Sequence, residues 1–181
     1  MDFQQIVLVS FGGFEKKFLN LIADAVSAEL HTDVLVQEEH LDISEFFDPN
    51  RRQYNGDLIL KKTHQLFQQH FRVIGLFNVD LFIPILTFIY GQAMLNGRTG
   101  VVSAYRLDNE RYGLIKNKEL LFQRIVKEII HELGHTFGLI HCHTPNCVMR
   151  SSTYVEDIDQ KTKAFCKACI FQLENQSSSL N

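Results

Sequence analysis

Residues 131–150, HELGHTFGLIHCHTPNCVMR, restrict the fold of this chain more than any other stretch. They contain four histidines and two cysteines, which are residue types that bind metal ions. His131 and His135 are four residues apart, a spacing that places both imidazoles on one face of a helix, one turn apart. Because two such imidazoles can bind one cation, the sequence predicts a metal-binding helix here.

A glycine and a third histidine extend this pattern. Gly138 can adopt the left-handed conformation that ends a helix, and the turn would bring His141 back towards His131 and His135. Three neutral imidazoles leave the fourth position of a tetrahedral zinc ion open to water. Glu132 points to the side, where it could reach that water as a general base without being a ligand. We therefore predict a catalytic zinc site with these three histidines as ligands and Glu132 as the catalytic residue.

Other interpretations of the histidines stay open. The helix could carry two surface histidines and end at Gly138 as an ordinary C-cap. His143, two residues after His141, could act as a ligand or donate a hydrogen bond to a reacting carbonyl. We favour a third interpretation, in which His143 is only a neighbour of the metal sites.

The cysteines form a second constellation, C-x4-C, then eighteen residues, then C-x2-C. Two close pairs joined by a loop match a structural zinc site closed by four thiolates, here Cys142, Cys147, Cys166 and Cys169. Adjacent residues in an extended segment point to opposite sides, so His141 and Cys142 should bind different ions. The sequence thus predicts two zinc ions, one catalytic and one structural. Four reduced buried thiols, or a redox pair at Cys166 and Cys169, are the alternatives.

Length and charge exclude several classes of protein. A chain of 181 residues suits one domain, and a net charge of -3 gives no basic excess for binding nucleic acid. The most apolar segment, residues 81–95, contains Pro84 and Gly91 and is shorter than the roughly 20 residues of a membrane span. We interpret it as buried sheet. The N-terminus lacks the features of a signal peptide, so we expect a cytoplasmic location. We also expect a monomer that binds neither nucleic acid nor membranes.

Hydrophobic periodicity predicts an alternation of strands and helices. The predicted strands are 6–12, 33–37 and 73–77, and the predicted helices are 14–30, 57–71 and 116–137. The polar segment 46–55 is predicted to be a loop. Asn96-Gly97 predicts a hairpin that makes 87–95 and 98–107 antiparallel neighbours. This order indicates an α/β fold with a mainly parallel sheet and one antiparallel strand.

The motifs resemble those of a known family. HELGHTFGLIH, 131–141, resembles the extended zinc motif of metzincin metallopeptidases. The continuation CHTPNCVM, 142–149, followed by CKAC at 166–169, is similar to the archaemetzincins in particular. The resemblance implies a metzincin-like twisted mixed sheet with one antiparallel edge strand, packed by helices that include the active-site helix. It also implies a small zinc-stabilised C-terminal part.

The resemblance assigns roles and boundaries as well. It implies a zinc metallopeptidase that acts on peptides or proteins. The zinc ligands and the general base would be the residues named above, and Met149 would be the Met-turn residue beneath the zinc. Some metzincins place a tyrosine two residues after this methionine, but Ser151 stands here and the nearest tyrosine is Tyr154, so we assign no transition-state stabiliser. We expect one catalytic domain over 1–174, made of an N-terminal part (1–138) and a C-terminal part (139–174), and a frayed tail over 175–181.

An edge strand above a zinc site could pair with an extended peptide, and Ile89–Leu95 is the candidate, with Gly91 allowing close approach. An ordinary buried strand with a bulge at Gly91 is the alternative. A non-catalytic module that binds peptides or protein termini is the rival function, although such a binder has no need of Glu132. A zinc-ribbon nucleic-acid binder is disfavoured because acidic residues interleave with its basic residues, which would be Arg150, Lys161, Lys163 and Lys167.

Overall fold

The computed structural model describes residues 5–67 and 72–178, with side chains described as far as residue 175. Within these ranges the strands are β1 (Ile6–Ser10), β2 (Val34–Glu38), β3 (Phe47–Asp48), β4 (Gln53–Asn55), β5 (Arg72–Phe77), β6 (Leu81–Ile83), β7 (Leu86–Ile89), β8 (Gly91–Ala93) and β9 (Thr99–Ser103). The α-helices are α1 (Lys16–Leu30), α2 (Gly56–Leu66), α3 (Lys118–Thr136), α4 (Val155–Gln160) and α5 (Lys167–Ser178). Short 3-10 helices occupy Ser44–Phe46, Tyr105–Leu107 and Asn109–Tyr112.

The main sheet has the strand order β2-β1-β5-β9-β8. The first four of these strands are mutually parallel, and β8 pairs antiparallel with β9 at the edge. The central strands β1, β5 and β9 are apolar and almost wholly buried, as expected for parallel strands covered on both faces. The prediction of a mainly parallel sheet with one antiparallel edge strand is confirmed.

A second, smaller sheet has the order β3-β4-β6-β7 and was not predicted. The prediction of a loop over 46–55 is wrong in part, because β3 and β4 lie within it. Their strands of two and three residues are too short to show a periodic pattern. The apolar segment 81–95 is not wholly buried either, since Ile85 at the β6–β7 turn is 86% exposed.

The predicted strand 87–95 is wrong as a single strand. The chain pairs with β6 in the small sheet up to Ile89 and then with β9 in the main sheet from Gly91. Apolar residues continue through the change of sheet at Tyr90, so the sequence carries no signal of it. The Asn96-Gly97 hairpin itself is confirmed, with Asn96 in the left-handed region at φ 53°.

Helix α3 packs its apolar face, including Ile125, Ile129 and Leu133, into the core beneath the main sheet. It begins at Asn117, whose side chain accepts a hydrogen bond from the Leu120 amide at 3.0 Å. Helix α2 ends at Leu66, and residues 68–71 of the predicted helix 57–71 lie outside the described residues.

The C-terminal part shares this core. Val148, Met149, Val155 and Ile158 are fully buried or nearly so and belong to the same hydrophobic cluster as α3. Helix α5 runs to Ser178, so residues 175–178 of the predicted frayed tail are helical, and 179–181 lie outside the described residues. Among the described residues, no helix combines the length and apolar character that crossing a bilayer requires.

Candidate active site and metal centres

The end of α3 brings three histidines together. Side-chain nitrogens of His131, His135 and His141 all lie within 4.8 Å of one another, and Nε2 of His131 is 3.1 Å from Nε2 of His135. Gly138 produces this arrangement with φ 91°, and its amide bonds to the His135 carbonyl at 2.9 Å. The helix therefore ends where the sequence predicted, and the chain returns His141 to the other two imidazoles.

Backbone carbonyls fix the tautomers of two of these rings. Nδ1 of His131 donates to the Val148 carbonyl and Nδ1 of His135 donates to the Leu139 carbonyl, each at 2.8 Å. Because carbonyls only accept, each neutral ring turns the lone pair of Nε2 towards the shared centre. Burial, followed by the charge of Lys161, holds the pKa of His131 well below its usual value. Two facing lone pairs at 3.1 Å repel each other unless a cation lies between them, so the donor set fits a metal ion.

Glu132 lies beside this centre and is only 4% exposed. Burial, and then the neighbouring Glu128 carboxylate, raises the pKa of Glu132 well above its usual value. Its Oε2 has no hydrogen-bond partner among the described residues, so this oxygen is available to a water or a substrate. The carboxylate is therefore buried beside the cleft that the three imidazoles also line, with one oxygen unpaired.

Gly91 on the edge strand provides the space for this carboxylate. A Cβ atom at residue 91 would lie 2.6 Å from Glu132 Oε1 and 2.9 Å from the Val101 carbonyl oxygen. The pairing of Gly91 with Val102 is regular, so the bulge considered at Gly91 is not present. Gly91 thus permits a close approach, and the group that approaches is the side chain of Glu132.

A buried ion pair lies one helical turn before Glu132. Lys161 Nζ is 3.1 Å from Glu128 Oε1, and their side chains are 1% and 5% exposed. Lys161 also donates to the Arg150 carbonyl at 3.1 Å. The pair was missed at the sequence level, although Glu128 shares a helix face with Glu132. Lys161 gave no local signal, because only the tertiary fold brings it to α3.

The four cysteines form a second group whose sulfurs lie within 4.8 Å of one another. The pairs Cys142–Cys166 and Cys147–Cys169 each have an Sγ–Sγ distance of 3.7 Å. This separation matches the edge of about 3.8 Å expected for a tetrahedron of zinc–sulfur bonds, and it is far longer than a disulfide. The backbone amides of Thr144 and Cys166 donate to the sulfurs of Cys142 and Cys147, each at 3.4 Å, a contact that favours the thiolate form.

Short segments connect the two groups. His141 and Cys142 are adjacent yet belong to different groups of potential metal ligands. The carbonyl that holds His131 belongs to Val148, next to Cys147. Met149 is fully buried beneath Gly134 of α3, where its sulfur occupies the space that a side chain at residue 134 would need. The cysteine group therefore supports the backbone that positions the histidines.

A cleft of about 630 Å³ opens onto the histidines. One side is formed by residues 86–93 of β7 and β8, and the other by α3 and residues 151–153. Ser151 lines the cleft, whereas Tyr154 is 68% exposed and lies outside its lining.

His143 is exposed and belongs to neither metal-ligand group among the described residues. Of the basic set considered for nucleic acid, Lys161 is buried against Glu128 and Lys163 pairs with Glu29 at 3.4 Å.

Comparisons with known proteins agree with this fold and site. Residues 43–175 match the sequence model of peptidase family M54. The archaemetzincin of Sulfolobus acidocaldarius is 39% identical over 167 residues, which cover 88% of this chain and 93% of that protein. The crystal structure of archaemetzincin from Methanopyrus kandleri has a TM-score of 0.84 at 34% identity, covering 97% of this chain and 96% of that one.

A crystal structure of a zinc-dependent peptidase from Methanocorpusculum labreanum has a TM-score of 0.81 at 30% identity. It covers 93% of this chain and 99% of that one. The family match includes both groups of metal-binding side chains, and the relatives span nearly the whole chain. The chain therefore belongs to the archaemetzincins of peptidase family M54 and is a zinc metallopeptidase.

Proposed function

We propose that peptide bonds are hydrolysed at the three-histidine site, with Glu132 as the general base. The observation that carries this proposal is the unpaired Oε2 of a carboxylate that is 4% exposed beside three convergent imidazoles. Leaving such an oxygen without a partner costs free energy, and a protein that only binds peptides gains nothing from that cost.

The donor set suits zinc, because neutral imidazole nitrogens are among its preferred ligands. When bound, zinc supplies a Lewis acid that polarises a carbonyl and lowers the pKa of water. Glu132 accepts the proton of the attacking water and then delivers it to the leaving amine. The raised pKa of Glu132 favours the first of these steps, because it makes the carboxylate a stronger base than an exposed glutamate.

The cysteine group would hold a second zinc with a structural role, giving two zinc ions per chain. Four thiolates close a tetrahedral shell and leave no position for water. Its place against Val148 and Met149, in the core shared with α3, supports a single catalytic domain over 1–174. In that domain the N-terminal part (1–138) supplies the helix, and the C-terminal part (139–174) completes both ligand sets.

The substrate is an extended peptide that adds to the free edge of β8. This strand ends the main sheet and lines the cleft beside Glu132. Backbone hydrogen bonds along such an edge bind a peptide without regard to its sequence. The scissile bond would then lie above the imidazoles.

The replacement Glu132→Gln tests the base. We expect hydrolysis of quenched fluorescent peptides by the zinc-loaded protein to fall by about 10²–10⁴-fold, the usual contribution of a general base. Zinc content, measured by mass spectrometry, should not change. The matched control is Glu119→Gln, which alters an exposed glutamate in the first turn of the same helix and should keep full activity.

Full turnover in Glu132→Gln would show that the base is assigned wrongly. If the zinc-loaded parent cleaves no peptide in a diverse library but binds some of them, the non-catalytic binding module is the better account.

A further inference from the structure

We infer that an apolar rim at one end of the cleft selects peptides with a large apolar residue on the acyl side of the scissile bond. The apolar rim consists of Leu95 and Ile140, which both line the cleft that opens onto the histidines. This inference rests on the proposed function, because it names the class of peptide that occupies the same cleft.

Both side chains of the apolar rim are exposed although they are large and apolar. Leu95 is 57% exposed and Ile140 is 64% exposed. A single exposed apolar residue is common on protein surfaces, but exposed apolar residues that line a groove mark binding sites. An apolar group bound there would remove this surface from water, and the rim would stabilise the complex by that burial.

Hydrogen bonds to His135 fix the backbone beside both residues of the rim. The amide of Asn96, next to Leu95, donates to the His135 carbonyl at 2.9 Å. The carbonyl of Leu139, next to Ile140, accepts from Nδ1 of His135 at 2.8 Å. The rim is thus attached at two points to one residue of the metal-binding group. Its backbone is ordered before a substrate arrives, which lowers the entropic cost of binding.

Charged side chains lie towards the other end of the cleft. Glu128 and Lys161 form their buried ion pair there. Glu128 is seven residues before His135 on α3, which is about 10 Å along the helix axis. Apart from Glu132, which faces Gly91, no other Asp, Glu, Lys or Arg is among the described residues that line the cleft. The rim therefore offers no partner to a charged residue and favours an apolar one.

The position of the general base assigns the rim to one side of the scissile bond. In the proposed reaction Glu132 delivers a proton to the leaving amine, so the amine nitrogen must lie close to this carboxylate. Glu132 lies against Gly91, whereas Leu95 is four positions later along the same edge and Ile140 precedes His141. A substrate with its amine at Glu132 and its carbonyl at the imidazoles therefore extends its acyl side towards the rim. Because an extended peptide advances about 3.3 Å per residue, the rim contacts one of the second to fourth residues before the bond.

Hydrolysis by the zinc-loaded protein tests this selection. The host is a peptide that the parent cleaves in a diverse library, with serine at the second to fourth positions on each side of the cleaved bond. Leucine, glutamate or lysine then replaces each serine in turn, and mass spectrometry checks that the same bond is cleaved. We expect leucine at one acyl-side position to raise kcat/KM about tenfold over serine, the lower end of what one apolar contact contributes to selectivity. Glutamate and lysine should give no such gain.

Paired substitutions test whether the rim is the source of the preference. Leu95→Ser combined with Ile140→Ser should remove most of the gain from leucine. The matched control combines Leu114→Ser with Ile115→Ser, at a leucine and an isoleucine that are 57% and 90% exposed and lie outside the cleft lining. The control should keep the full preference. Zinc content and melting temperature, measured for both double variants, check that each is folded.

Binding to the zinc-loaded Glu132→Gln variant gives a readout without turnover. Fluorescence anisotropy would compare the Kd of the host peptide carrying leucine at its three acyl-side positions with that of the serine peptide. We expect the leucine peptide to bind at least about tenfold more tightly. Adding the two rim substitutions should remove that difference. This preference in binding without cleavage by the parent would contradict the proposed function alone.

Three results would overturn the inference and leave the peptidase site intact. The first is cleavage of the leucine and serine peptides at equal rates. The second is a larger gain from leucine on the amine side of the bond, or from a charged residue on the acyl side. The third is a parent dimer in analytical ultracentrifugation that the two rim substitutions dissociate, because a second copy of the chain would then cover the rim.

Discussion

The replacement Gly91→Ala tests how the edge strand positions the general base. The added Cβ would lie 2.6 Å from Glu132 Oε1, about 0.8 Å closer than the 3.4 Å at which ordinary contacts begin. The strand cannot move away freely, because the same Cβ also meets the Val101 carbonyl at 2.9 Å. The carboxylate must therefore shift by nearly 1 Å, and misplacement on that scale costs about 10²-fold in rate.

Steady-state hydrolysis of a quenched peptide measures this effect, with zinc content and melting temperature measured in parallel. We expect kcat/KM to fall by about 10²-fold while the zinc content stays unchanged. Gly75→Ala is the matched control, because its Cβ would meet Phe77 and Phe11 at 3.0 and 3.1 Å in a part of the main sheet outside the cleft lining. That variant should lose stability but keep its kcat. Full activity in Gly91→Ala, or a loss that only follows loss of zinc, would refute the reasoning.

Two further predictions concern the groups that support the site. Cys166→Ser should remove one zinc, lower the melting temperature by roughly 10 °C and reduce hydrolysis, because the cysteine group supports the backbone that holds His131. Metal analysis and calorimetry check this, and His143→Ala, at an exposed histidine, should leave both metals in place. Lys161→Met should cost about 3–5 kcal/mol in urea denaturation, because it leaves Glu128 buried without its partner, and adding Glu128→Gln should recover most of that loss. A single variant as stable as the parent would show that the pair is not buried.

The parts of the fold that follow from local sequence patterns were predictable. Helix α3 has 19 residues with a regular apolar face, so its periodicity is unambiguous. Strands β1 and β5 were predictable because each is a short apolar run next to a predicted helix, and β9 because the Asn96-Gly97 hairpin precedes it. The grouping of His131, His135 and His141 followed from the helix period and from the glycine that ends the helix.

Other features depend on contacts that a sequence does not show. The small sheet consists of strands of two to four residues, which carry almost no periodic signal. The chain changes sheets at Tyr90 within a continuous apolar run, so the partner of each half could not be assigned. Lys161 is 33 positions after Glu128 and lies at the end of helix α4, beyond the turns and coil that follow α3. Tertiary packing alone creates this buried ion pair.

The central claim is that three imidazoles hold a zinc ion that keeps one position open. Anomalous diffraction at the zinc absorption edge from a crystal of the zinc-loaded protein tests it most directly. We expect one anomalous peak about 2.0–2.1 Å from Nε2 of His131, His135 and His141, with a solvent oxygen as the fourth ligand, and a second peak within the four cysteines. A cysteine sulfur or a Glu132 oxygen in that fourth position, or His141 turned away from the ion, would contradict the account.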